Sequence, residues 1–181
     1  MTDELLYEIR DGIGLITLNR PQAKNALNRA MRKELQLAYT DVKHNRDIWV
    51  AILTGNGDVF CSGKDLFEKV APEDEDGSVM SNDELYIFQR NIFKPIILAI
   101  NGPCLAQGGG FALNADILIM SERASLGWPQ VKRGISSVSG PTLLPHAIPW
   151  NQAMGYLMRG KFIPAAECFK LGIANEVAPH E

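Results

Sequence analysis

The chain has 181 residues, 46% of them apolar and 22% charged, with a formal net charge of -3. That is the size and balance of one soluble globular domain, and it speaks against an electrostatic nucleic-acid binder. No apolar run approaches the ~20 residues that span a bilayer, and the acidic start (Asp3, Glu4) is wrong for a signal or transit peptide.

Gly14-Leu15-Ile16-Thr17-Leu18-Asn19 reads as a strand closed by Arg20-Pro21. Asn28 is placed to N-cap a helix whose apolar residues Met31, Leu35, Ala38 and Val42 fall on one face. Trp49-Val50-Ala51-Ile52-Leu53-Thr54 predicts a buried strand, and Gly55-Asn56-Gly57-Asp58 a turn after it. Phe60-Cys61-Ser62-Gly63-Lys64-Asp65-Leu66 is expected to lead into a short helix. The acidic stretch Glu73-Asp74-Glu75-Asp76-Gly77-Ser78 reads as a mobile surface loop. Leu85, Phe88 and Ile92 mark a helix that stops at Lys94-Pro95. Ile96 to Ile100 and Ile117 to Met120 are apolar strands flanking a helix opened by Gly108-Gly109-Gly110. From Pro141 onward the pattern turns helical, with Pro164 at a first helical position and Leu171-Gly172 as a stop. Strands without polar alternation, interleaved with helices, define an α/β fold with a covered sheet.

Cys61, Cys104 and Cys168 are odd in number and widely spaced, with no Cys-x-x-Cys and no histidine nearby. They argue against a disulfide framework or a metal site and fit reduced thiols in a cytoplasmic protein.

Two segments carry candidate chemistry. In Asn101-Gly102-Pro103-Cys104-Leu105-Ala106-Gln107-Gly108-Gly109-Gly110, glycines open a helix whose first N–H groups no Cβ obstructs, a place for an anion or oxyanion. The alternative is close helix–strand packing. No Gly-x-Gly-x-x-Gly follows the first strand and no Walker lysine is present, which leaves a nucleotide-phosphate site without support. The segment around Cys61 to Leu66 also follows a strand and a glycine turn, so two corners with exposed amides could converge on one carbonyl oxygen.

These segments, with Asn25-Ala26-Leu27-Asn28, Asp116-Ile117, Gly134-Ile135 and Lys170-Leu171-Gly172-Ile173-Ala174-Asn175-Glu176-Val177, give the chain its likeness. It resembles the crotonase (enoyl-CoA hydratase/isomerase) superfamily over nearly its whole length. The resemblance implies a spiral of ββα units, residues 1–181 forming an acyl-CoA-binding core domain, and assembly as a homotrimer or hexamer. It implies an acyl-CoA substrate of fatty acid metabolism, coenzyme A entering with that substrate, and no separate cofactor, nucleic acid or membrane partner. The amides of Lys64 and Gly109 would hold the thioester oxygen as an enolate forms. Lys24, Ala26, Ser62, Gly63, Asp65, Leu66, Gly108 and Trp128 would bind the substrate, with Lys24, Arg29, Arg32 and Lys33 candidates to neutralise CoA phosphates. For the last three a solvated helix face is the simpler expectation. Further C-terminal helices usual in the family are expected to be missing or incomplete, leaving an exposed apolar face.

The pattern breaks where hydratases of this family carry two glutamates. Those positions are Ala112 and Gln130 here. Alanine moves no proton, and Gln130 can orient water but does not titrate near neutrality. Each lost acid or base typically costs ~10²–10⁴ in rate, which disfavours ordinary hydration while leaving the oxyanion hole intact. Asp116 is expected to cap, and His146 to serve surface or packing duty. Lys132, Arg133, Ser136, Ser137 and Ser139 are candidate pocket lining, with Ser137 and Pro141 altering a pocket wall. Tyr86, Phe88 and Phe93 are expected in the core or along an acyl tunnel. Two readings stay open: a lyase or isomerase acting through an enolate with Gln130 as its remaining polar group, and a non-catalytic acyl-CoA-binding or assembly subunit.

Overall fold

The computed structural model describes residues 3–69 and 77–180. Among these residues two sheets form the frame, one of six strands and one of three. β1 (Leu5–Arg10) and β2 (Ile13–Leu18) make an antiparallel hairpin. Asp11 and Gly12, both at positive φ (52° and 81°), form its two-residue turn. Both central residues left-handed is the geometry whose twist matches paired strands, so Asp-Gly was a hairpin signal that the strand pattern alone passed over.

The remaining strands of the large sheet are parallel: β3 (Val50–Gly55), β4 (Ile96–Ile100), β6 (Ile117–Ser121) and β9 (Glu176–Ala178). Successive strands then cross to the small sheet, through β5 (Pro103–Leu105), β7 (Ser125–Gly127) and β8 (Phe162–Pro164). A bridge from Cys61 to Cys104 continues that sheet after β3. From β4 to β5 and from β6 to β7 the chain therefore passes from the large sheet to the small one before its next α-helix, as the expected spiral of ββα units requires.

The helices cover the frame. In α1 (Arg29–His44) the Asn28 side chain accepts from the Met31 amide, and Met31, Leu35, Ala38 and Val42 are buried as their spacing predicts. α2 (Asn82–Arg90) starts with a Ser81/Glu84 capping box. α3 (Gln107–Ala112) is only six residues long, and α4 (Ser139–Ala147), α5 (Trp150–Arg159) and α6 (Ala165–Lys170) follow. No helix among the described residues is long and apolar enough to cross a membrane.

Several expectations change. Trp49 is 73% exposed, its ring lying over Gly12, because it precedes β3 on the open edge of the hairpin turn. The segment after Lys64 bends without forming a helix in residues 65–69, since the Asp65 carboxylate accepts the Phe67 amide and closes a turn. Pro164 is the N-cap of α6, one residue before the first helical position. Phe93 is 88% exposed at φ 60°, whereas Tyr86 is buried and Phe88 packs against the core. Of the acidic stretch, residues 73–76 lie outside the described residues.

Candidate active site

The corner after β3 is built on Asn25, fully buried at φ 51°. Its Nδ2 donates to the carbonyls of Asn56 (2.9 Å) and Val59 (2.7 Å), and its Oδ1 accepts the Arg20 amide. This locks the two segments side by side. The Ser62 amide donates to the Lys24 carbonyl (3.1 Å), Leu27 to Gly63 (2.8 Å), and Asp65 to Leu27 (3.1 Å). In such a parallel bridge the amide of Lys64 points away from Leu27, and it has no backbone acceptor among the described residues.

The second corner, at the start of α3, abuts the first. A Cβ built on Gly63 (φ 101°) would lie 2.8 Å from the Ala106 Cβ, and one on Gly108 would lie 3.0 Å from the Cys61 Cβ. Only glycine permits these approaches. Between them sits the Cys61 thiol, which accepts the Gly63 amide at 3.4 Å. Burial pushes this thiol up to about 12, against the opposing pull of the Gly63 and Gly108 amides. A clamp of two glycine turns around one buried sulfur thus holds Lys64 beside the start of α3. All three cysteines are free and buried.

Gly109 is buried against the indole of Trp128, and its amide donates to the Ala106 carbonyl at 3.1 Å. The amide expected as the second donor is therefore engaged within the chain. The reason is local: helix α3 begins with a tight three-residue turn onto Ala106.

Gln130 lies in a short 3-10 helix, Pro129–Arg133, and its Oε1 is buried without a hydrogen-bond partner among the described residues. It lines a cleft of about 380 Å³ with Trp128, Ile135, Ser137, Met154 and Met158. The Ser137 hydroxyl on the same wall is likewise unpartnered among the described residues. Ser136 and Pro141 also line this cleft, while Lys132 and Arg133 stay exposed beside it. Val131, Ile135, Val138, Trp150 and Met158 are exposed around this part of the chain.

Other candidates are placed differently. The Asp65 carboxylate pairs with Arg20 at 3.1 Å, both side chains largely buried, and so braces the corner. Arg32 reaches Glu68 (3.7 Å) and the Met80 carbonyl (3.2 Å), and Arg29 reaches Ser78 (3.3 Å). They tie loop residues to α1, so these two arginines do not form a freely solvated face. Lys24, Lys33, Lys64 and Leu66 keep exposed side chains. Asp116 caps no helix: its Oδ2 accepts the Ile96 amide at 2.8 Å and pins the start of β4. His146 is exposed, on a larger cleft of about 590 Å³ shared with Arg90 and Asn114 at the far end of α3. Ser139 lines neither cleft; it is buried, bonded to Trp128 and Ala106. Ala106 itself carried no signal in sequence, and no group of metal-ligating residues occurs among the described residues.

A spiral of two sheets carrying paired glycine corners at its heart defines the class of the molecule. The chain belongs to the enoyl-CoA hydratase/isomerase family, whose model matches residues 8–181. It is 35% identical to a mevalonyl-coenzyme A hydratase of Aspergillus fumigatus, covering 92% of this chain and 63% of that protein. Against an (E)-benzylidenesuccinyl-CoA hydratase of Thauera aromatica the identity is 34%, over 94% of this chain and 68% of the relative. The crystal structure of an enoyl-CoA hydratase from Mycobacterium tuberculosis superposes with a TM-score of 0.88 at 36% identity, over 99% of this chain and 70% of that one. The chain thus spans about two-thirds of the length of the curated relatives it matches.

Proposed function

We propose that this chain is one acyl-CoA-binding core domain that takes an acyl-CoA thioester and stabilises its enolate between the amides of Lys64 and Gly109. The reading rests on one juxtaposition: Gly63 packed on Ala106 and Gly108 packed on Cys61, with the Lys64 amide directed away from Leu27. Backbone donors in a closed corner act without proton bookkeeping, and one of them is typically worth ~10²–10³ in rate. The pantetheine and nucleotide would run along Lys24 to Ala26 and Ser62 to Leu66, with Lys24 toward phosphate. Coenzyme A enters as part of the substrate, and no other cofactor is called for.

Ala112 and Gln130 make the chemistry differ from two-glutamate hydration. Ala112 is buried and inert, while the unpartnered Gln130 Oε1 can orient a water or a substrate hydroxyl. The reaction is of lyase or isomerase type within fatty acid metabolism, in a cytoplasmic homotrimer or hexamer without nucleic-acid or membrane partners. The missing titratable pair favours a second reading, a non-catalytic acyl-CoA-binding subunit. Calorimetric titration with crotonyl-CoA and longer acyl-CoAs tests both. A turnover panel over hydration, isomerisation, thioester hydrolysis and decarboxylation then separates them: binding without turnover selects the second reading, and no binding at all removes both.

A further inference from the structure

We propose that Ser139 is the positioning residue for the Gly109 amide, its hydroxyl setting how strongly this chain polarises a thioester carbonyl. This deepens the acyl-CoA reading and rests on it.

Ala106 immediately precedes α3 at φ 54°, ψ -111°, a conformation that L side chains rarely adopt. Its peptide groups are tied on both sides. The Ala106 amide donates to the Gly127 carbonyl at 2.8 Å. Its carbonyl accepts two donors, the Gly109 amide at 3.1 Å and the Ser139 hydroxyl at 3.2 Å. The Ser139 Oγ in turn accepts the Trp128 Nε1–H at 3.0 Å. An indole N–H only donates, so the serine proton is left to point at Ala106. Ser139 is 1% exposed and Trp128 2% exposed, so water does not compete for the bond between them, while the Ala106 carbonyl is half-buried.

To serve an oxyanion, the Gly109 N–H must turn from the Ala106 carbonyl to the ligand. A half-buried carbonyl left with no protein donor would hold that amide back. Ser139 keeps the carbonyl satisfied when Gly109 leaves, and the Trp128 indole keeps the hydroxyl aimed. The same device maintains the unusual Ala106 conformation that presents the first turn of α3 to the Gly63 corner. A merely structural tie between α3 and α4 would affect folding stability alone. A positioning role affects the electronic state of a bound carbonyl.

The probe is cinnamoyl-CoA, whose absorption moves to longer wavelength when its thioester carbonyl is polarised. Wild-type chain should bind it with a red shift. Ser139→Ala should keep its circular dichroism and bind within about threefold of wild type, yet lose more than half of that shift. Any turnover found on the panel should drop about tenfold in kcat with little change in KM, the factor a single hydrogen bond supplies at the upper end of its usual range. Ser139→Thr, which keeps the hydroxyl, should restore both. A full red shift in a folded Ser139→Ala overturns the proposal while leaving the acyl-CoA reading intact. Absence of any binding or shift in the wild-type chain overturns that reading and this proposal with it. Should Ser139→Ala not fold, Ser139→Cys, similar in size and a weak donor, gives the same test, and a wild-type shift there overturns the proposal.

Discussion

The Cα of Gly109 lies so close to the Trp128 ring that a Cβ built there would sit 2.5 Å from Cζ2. The same indole lies against Gly140, where a Cβ would meet its Cγ at 2.7 Å. Trp128 is therefore wedged between the starts of α3 and α4. Gly109→Ala must move either a buried ring or the helix that carries the proposed donor. Such overpacking typically costs about 1–3 kcal/mol. Urea unfolding should show that loss, and calorimetry should show weakened acyl-CoA binding. A Gly109→Ala chain with wild-type stability and affinity would mean that the wedge is loose.

Ala112→Glu together with Gln130→Glu should raise crotonyl-CoA hydration. The two carboxyls would supply an acid and a base, each typically worth ~10²–10⁴, beside the proposed backbone donors. The Ala112 side is buried, so the new glutamate will favour its neutral, proton-donating form. An unchanged rate, with folding and binding retained, would show that these two positions do not face the reacting carbon.

Gln89 is 1% exposed and joins three helices. It accepts the Tyr39 hydroxyl at 2.8 Å and donates to the Phe111 carbonyl at 3.1 Å. Gln89→Leu leaves a buried phenol and a buried carbonyl without partners, each costing about 1–3 kcal/mol. The expected loss is largest of the single substitutions considered, readable as a lowered urea midpoint. Tyr39→Phe with Gln89→Leu should recover part of it, because one orphaned group is then removed.

Stability should fall in alkali. Burial pushes the Cys61 and Cys168 thiols up to about 12 and Cys104 in the same direction, from an ordinary value of 9.0. The folded chain then holds protons that the unfolded chain releases, so the contribution is full below about pH 9 and is lost as pH rises toward 12. Each thiol adds at most about 1.4 kcal/mol per pH unit in that window. The melting temperature should be level from pH 7 to 8.5 and decline above 9, less steeply in Cys168→Ala. A level profile to pH 11 would contradict the burial of these thiols.

Much of the frame was legible along the chain. Residues 28–42 carry a cap and a 3.6-residue apolar period, and α1 formed with that cap and that buried face. The runs at 96–100 and 117–120 became β4 and β6 because unbroken apolar segments of that length must be covered on both sides. The three-residue strands β5, β7 and β8 went unread, since a period needs more residues than they have. Trp49 and Phe93 were misplaced for a related reason: apolar character says that a residue can be buried, and neighbouring turns decide whether it is.

At the candidate site the sequence by itself determined which donors and which proton carriers exist. Glycines stand at 63 and at 108–110, and alanine and glutamine occupy the two positions at 112 and 130. Only the tertiary structure decided that Gly63 and Gly108 close around the Cys61 sulfur, that Asp65 serves Arg20, and that Ser139 shares the Ala106 carbonyl with Gly109. Local pattern encodes which side of an element turns inward. The partner waiting there, 33 residues along the chain in the case of Ala106 and Ser139, is set by how the strands of two sheets are stacked.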